Sequence, residues 1–124
     1  MRHLVVSCIS GGRVRVATAL EAKTIWTRLK GLLGRPALAP DQGLWIVPCN
    51  SIHMFFMKFP IDAVFLDRKR SVVRIYPSIR PWRCTTIVRG AHSCLELAAG
   101  RAAEAGLQVG DVLEFKEAGS DPGL

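Results

Sequence analysis

Cysteine, histidine, methionine and aspartate crowd into one short stretch, Pro48–Asp62, which reads PCNSIHMFFMKFPID. Cys49, His53 and Asp62 are the side-chain types from which a nucleophilic thiol is built, since a base must form the thiolate and a third group must orient the base. No glycine-rich turn nearby offers an oxyanion hole. In an extended chain His53, Phe55, Met57 and Phe59 share one face, whereas Asp62 points the other way unless the bend at Pro60 intervenes. The plainer reading is a buried cysteine, a hydrogen-bonded histidine, and an aspartate that ties down loop backbone amides. A small enzyme using Cys49, His53 and Asp62 is therefore the alternative, not the first choice.

Soft-metal chemistry is a further alternative. Cys49, His53, Met54 and Met57, with His92 and Cys94, supply the thiolate, thioether and imidazole groups that suit Cu(I). Zinc would call for closer Cys/His spacing, which is absent. Methionine interleaved with Phe55, Phe56 and Phe59 is more often core or adaptable pocket lining, so the expectation is that no metal is bound. The preferred reading is a non-enzymatic ligand-binding or accessory protein with a pocket around residues 48–62. Its candidate ligand-binding residues are Cys49, His53, Met57, Lys58, Asp62, Trp82 and Arg83. His53, Met57 and their aromatic neighbours would form an apolar wall, and Lys58, Asp62 and Arg83 would orient the ligand by charge. Trp82, between Pro81 and Arg83, lies in a loop, where an aromatic either contacts a ligand or forms a lid over the core. The residues specify no cofactor.

A chain of 124 residues, 49% hydrophobic and 22% charged, matches the size of one domain with a real core. No apolar run reaches the roughly 20 residues that span a bilayer. Leu4-Val5-Val6 is too short for the apolar part of a secretory signal, so the expectation is a cytoplasmic protein. There the four cysteines, Cys8, Cys49, Cys84 and Cys94, should be thiols, each expected to serve as a small buried apolar side chain. Net charge is +7, which attracts anions without identifying them. Arg68-Lys69-Arg70 is the densest cluster, followed by Arg74, Arg80, Arg83 and Arg89. No helix-turn-helix, zinc-finger or RNA-binding signature accompanies them, so nucleic acid is the least favoured partner and a small molecule or protein is preferred.

The elements that must carry these residues follow from period and punctuation. Leu4–Ile9 and Val14–Ala17 form a hairpin about Ser10-Gly11-Gly12. Ile25, Leu29, Leu32 and Leu33 fall at helical spacing, predicting a short helix over Ile25–Leu33 capped by Thr24 and stopped by Gly34 and Pro36. Strands are expected at Gly43–Val47, Ile61–Leu66, Ser71–Tyr76, Thr85–Val88, Ser93–Leu97 and Val112–Phe115. A loop is expected over Ser78–Arg83 and a short helix within Ala98–Ala105. Glu96 points away from its apolar neighbours and is expected in a structural ion pair; Asp111 is expected to fix a turn. The fold expected is mainly β with one or two short helices, a β-sandwich or a small barrel, with an open α+β sheet as the alternative. Residues 1–124 are read as a single domain, with 117–124 a flexible tail.

Arg28-Leu29-Lys30-Gly31-Leu32-Leu33-Gly34-Arg35 and Gly43-Leu44 resemble the opening signature of the bacterial and archaeal domain-of-unknown-function family 192. The run Met57–Asp67 is similar to that family's central Met-basic-x-x-Ile-Asp strand entry. Pro81-Trp82-Arg83, Leu95-Glu96-Leu97-Ala98-Ala99-Gly100 and Gly110-Asp111 resemble its closing blocks, in order, so the resemblance spans about Ala17 to Phe115. It implies a compact jelly-roll sandwich and no established activity, cofactor or catalytic residue. Cys49 and His53 resemble a subgroup form, Pro-Cys-x-x-Ile-His, so any chemistry they carry is not common to the whole family.

Overall fold

The structure is a computed structural model, and it describes residues 2–22, 38–54 and 57–118. The described elements run β1 (His3–Cys8), β2 (Val14–Ala22), β3 (Gln42–Ile46), β4 (Ile61–Leu66), β5 (Val72–Ile79), β6 (Ser93–Ala98), α1 (Arg101–Glu104) and β7 (Leu113–Glu117). The strands form one mixed sheet in the order β5-β4-β6-β3-β2-β1-β7. All pairs are antiparallel except β2–β3. A parallel pair needs a long connection, and residues 23–41 separate the two strands in sequence. The expected helix over Ile25–Leu33 lies outside the described residues.

The mainly-β expectation holds, and among the architectures considered the molecule takes the open sheet. The sheet curls strongly without closing. Its edge strands meet at one bridge only, Ser71–Val112, flanked by hydrogen bonds from Val72 N to Asp111 O at 2.8 Å and from Leu113 N to Arg70 O at 2.9 Å. The curl brings Trp45 of β3 onto Phe115 of β7, ring centroids 4.1 Å apart. The Arg70 guanidinium covers both rings, at 5.1 and 5.2 Å.

Both faces of the central strands are buried, which explains why IDAVFL and SCLELA read as near-continuous apolar runs and not as alternation. One core cluster holds Val64, Leu66, Leu95, Leu97, Trp45 and the inward side chains of β1 and β2. The other holds Ile61, Ala63, Phe65, Cys94, Leu44 and Ile46 under Ile52, Met54, Met57 and Phe59. Alternation within β4 assigns odd-numbered residues to the second cluster and even-numbered ones to the first.

Several expected boundaries move for physical reasons. The strand expected at Val14–Ala17 runs on to Ala22 because β1 and β3 pair with it on both sides. Thr85–Val88, although rich in β-branched residues, is not a strand. Thr85 N and Val88 N donate to Ile52 O and Asn50 O, but the intervening groups form no continuous ladder. The loop expected at Ser78–Arg83 begins only after Ile79, where β5 ends. The helix expected within Ala98–Ala105 is the single turn α1. Asp111 does fix a turn, its Oδ2 accepting from Gln108 N at 2.9 Å.

Candidate functional site

Beyond β3, the Val47–Pro48 peptide is cis, and Pro48–Met54 then runs antiparallel to Trp82–Val88. Met54 N donates to Arg83 O at 2.7 Å and Trp82 N to Met54 O at 2.8 Å. His53 and Cys84 face each other across an isolated bridge. At the other end Cys49 N donates to His92 O at 2.8 Å, and His92 N to Leu66 O at 2.7 Å. These backbone bonds tie the segment after β3 to the entry of β6 and to the end of β4.

Two shallow depressions meet at that junction. One, about 370 Å³, is lined by Pro48, Cys49, Asn50, Ala91 and His92. The other, about 490 Å³, is lined by Asp67, Arg68, Lys69, Gly90, Ala91 and His92. They share Ala91 and His92, so the two adjoin along one grooved patch of surface. Its walls are firm. Asp67 Oδ1 accepts from Lys69 N and Ser71 N, both at 2.9 Å. The opposite turn closes through Ala91 N to Val88 O at 3.2 Å, with Gly90 at φ 84°, a conformation costly for a residue with a Cβ. Arg68 and Lys69 give the groove a positive wall, and the Cys49 thiol donates to Ser51 O at 3.1 Å.

The residues singled out from sequence do not all come together. Cys49 lines the groove. Its partner in the pattern, His53, lies four residues along, half-buried opposite Cys84. Met57 is 4% exposed within the second core, beside Met54 and Phe59. Lys58 and Arg83 are exposed. Asp62, 1% exposed, lies on the opposite face of β4 from Phe59's cluster. Its Oδ1 accepts from Ser78 N at 2.8 Å and Gly100 N at 3.1 Å, and its Oδ2 from Ala102 N at 2.9 Å. Both carboxylate oxygens thus serve backbone amides at the end of β5 and the start of α1, the role in which an aspartate ties down loops. Trp82 is 60% exposed and sits at φ 70°; an indole so placed is not a lid.

Among the described residues no group of three or more His, Cys, Asp or Glu side chains is arranged to hold a metal ion. Met54, Met57 and Cys94 are interior side chains of the second core. All four cysteines are thiols. Cys8 and Cys94 are buried as expected, whereas Cys84 is exposed and Cys49 intermediate, because both of the latter lie in the irregular layer over the sheet and not in a strand. Glu96 is fully buried, in register with Leu44 of β3 and Ala63 of β4.

Asn50 and Ala91 are lining residues that sequence reasoning passed over, Arg68 and Lys69 were weighed only as a basic cluster, and His92 only as a metal ligand. The missing fact was the pairing of β4 with β6, which sets Leu66 opposite Ser93 and so brings the turn after β4 beside the chain entering β6. Strands separated by a hairpin partner give no local signal of adjacency.

A curled, mainly-β sheet with a basic-walled groove on its irregular layer defines a class of small β domain. Within it, the chain belongs to domain-of-unknown-function family 192, whose model, described as Uncharacterized ACR, matches residues 6–115. A UPF0127 protein of Thermococcus sibiricus is 33% identical over 113 residues, covering 85% of this chain and 67% of that protein. A UPF0127 protein of Pyrococcus abyssi is 35% identical over 65 residues, or 52% of this chain and 55% of its own length. Among solved structures, a protein of unknown function from Novosphingobium aromaticivorans matches with a TM-score of 0.77 at 25% identity, over 90% of this chain and 83% of that one. A Sinorhizobium meliloti structure, named "putative transcription regulator", matches with a TM-score of 0.75 at 25% identity, over 92% of each chain. No helix among the described residues is long and apolar enough to cross a membrane.

Proposed function

We propose that this chain is a non-enzymatic ligand-binding or accessory module whose site is the groove between Pro48–Asn50, Asp67–Lys69 and Gly90–His92, and whose ligand is a small anion. The observation that carries this reading is the sharing of Ala91 and His92 by two adjoining depressions. One is lined by Cys49 and Asn50, the other by Asp67, Arg68 and Lys69. A few convergent polar groups on a firm scaffold are what small-molecule sites require. Of the residues first considered, Cys49 contributes directly. Met57 lies in the second core and Asp62 at the opposite end of β4 from the Asp67 turn, and Lys58, Trp82 and Arg83 are exposed outside the groove's lining. The commitment of both Asp62 oxygens to backbone amides speaks against a Cys-His-Asp enzyme.

The thiol state of all four cysteines supports a cytoplasmic setting. The pairing of β1 with β7, which joins the two ends of the chain, supports a single domain.

The test is titration with inorganic phosphate and with pyrophosphate, followed by amide chemical shifts. Shifts confined to residues 48–50, 67–69 and 90–92, and lost in Lys69→Ala and His92→Ala, are the expected result. Shifts absent, or scattered over all cationic surfaces, would sink the reading. The regulator's name borne by the Sinorhizobium protein makes duplex DNA a useful third probe. Strong DNA binding with a steep salt dependence would put a nucleic-acid function first.

A further inference from the structure

The cationic charge of this chain is concentrated in one part of it. Residues 68–95 hold seven of the 17 basic side chains and none of the 10 acidic ones, so the remaining sequence is balanced and this segment carries the whole net charge of +7. Within it, the irregular run from Arg80 to Arg89 lies over the sheet, and its side chains differ in exposure. Thr85 and Val88 are half-buried, and Val88 packs on the second core. Arg80, Trp82, Arg83, Ile87 and Arg89 are exposed. Trp82 at 60% and Ile87 at 74% are two of the five exposed large hydrophobic side chains among the described residues.

This run is held in place. Trp82 N, Thr85 N and Val88 N donate to Met54 O, Ile52 O and Asn50 O, Met54 N donates to Arg83 O, and Ile52 N donates to Thr85 Oγ1 at 3.1 Å. Thr86 Oγ1 lies 3.2 Å from Tyr76 Oη, and the Arg74 guanidinium lies 4.4 Å over the Tyr76 ring, which sets Arg74 near Thr86 of this run. The exposed indole is therefore presented by ordered backbone, at a positive φ of 70° that a bulky residue seldom adopts.

From this pattern we infer that Arg80–Arg89 is a docking surface for an anionic lipid bilayer. Guanidinium groups pair with phosphodiester headgroups. Tryptophan favours the headgroup level, and an exposed aliphatic side chain is stabilised by entering the acyl boundary. Ile87 decides between partners: a nucleic acid would engage the arginines and stack on Trp82, but would leave Ile87 in water. The absence of any carboxylate from residue 68 to residue 95 removes the repulsion that an anionic surface would otherwise meet. This surface adjoins the groove at Arg89–Gly90, and the inference does not depend on the groove's having a ligand.

Co-sedimentation with vesicles of phosphatidylcholine alone, and of phosphatidylcholine with roughly a third phosphatidylglycerol, tests the inference. The protein should partition onto the anionic vesicles only, and less so as salt rises. Replacing Arg80, Arg83 and Arg89 together by Gln should weaken partitioning by on the order of 100-fold, about fivefold per arginine. Trp82→Ser with Ile87→Ser should weaken it on the order of tenfold. The control set Arg13→Gln, Arg15→Gln and Lys116→Gln removes equal charge elsewhere and should change it by less than about threefold. Brominated acyl chains should quench wild-type fluorescence, and Trp82→Phe should abolish that quenching; this readout stands even if the double serine variant unfolds. Equal binding to both vesicle types would overturn the inference, as would an equal loss in the control set. So would inert vesicles beside tight binding of an oligonucleotide.

Discussion

The two ends of Pro48–Asp62 contain similar chemistry and put it to opposite use. At the far end Asp62 is 1% exposed and its two oxygens receive three backbone amides from two other parts of the chain. At the near end Cys49 is half-exposed, its thiol bonded within its own loop, and it looks onto an open groove. A carboxylate whose two oxygens both hold backbone amides is committed to the scaffold. A thiol at a groove wall retains room beside it. Residue type proposes chemistry, and the number of fixed partners decides whether it is available.

That contrast breaks most visibly through Asp62. Asp62→Ala leaves three amides without their acceptor, at Ser78, Gly100 and Ala102, and should destabilise the protein by about 3–5 kcal/mol in urea unfolding. Asp62→Asn keeps one carbonyl acceptor and should lose about half as much. A loss below about 1 kcal/mol for the alanine variant would return Asp62 to the list of functional candidates. Gly43→Ala probes the same interior. A Cβ there would stand 3.1 Å from Glu96 O and 3.2 Å from Leu97 Cδ2, between β2 and β6, neither of which can yield freely. About 1–3 kcal/mol of destabilisation is expected, read as a lower midpoint in the same assay.

How much of this was legible beforehand varies with the locality of the signal. β4 stood out as an apolar run between Pro60 and the Asp67 turn, and its bounds are Ile61–Leu66 as expected. The role of Asp62 in securing loop amides was a reading open to sequence, because its position just after a strand start, facing away from Ile61 and Ala63, suits it. The strand order was not legible. The groove depends on it, since the β3–β6 pairing brings Cys49 beside His92 and the β4–β6 pairing brings the Asp67–Lys69 turn to the same junction. Thr85–Val88 misled because β propensity reports fit to a half-buried pleated surface, and that segment has one without the ladder.

A surface carboxylate extends the contrast to a smaller effect. Glu114 Oε1 lies 2.6 Å from the Arg13 guanidinium, and that hydrogen bond holds its carboxyl below the usual carboxylate range. A depressed folded value contributes stability above the unfolded value and loses it as pH falls through the folded one. The melting temperature should therefore fall on the acid side below about pH 4.5, the group's ordinary value. Arg13→Ala should flatten that part of the profile. Because the pair is exposed, its effect should be well under that of either interior substitution. A profile unchanged by Arg13→Ala would mean that other carboxylates carry the acid sensitivity.

The smallest effect on stability, and the most informative one on function, belongs to Cys49. Cys49→Ala removes a thiol whose hydrogen bond to Ser51 O stays within one loop, so the unfolding free energy should move by no more than about 0.5 kcal/mol. Phosphate-induced shifts at residues 90–92 should nevertheless change, because the groove loses a polar wall. Iodoacetamide labelling of the native protein at neutral pH orders the thiols independently. Exposed Cys84 should react first and half-buried Cys49 more slowly, with buried Cys8 and Cys94 protected until unfolding. A thiol activated for catalysis would reverse the first two, since thiolate fraction outweighs modest differences in exposure. If Cys49 outruns Cys84, the near end of the stretch is a reactive centre that needs no help from Asp62, and the contrast between its two ends becomes one between catalysis and scaffold.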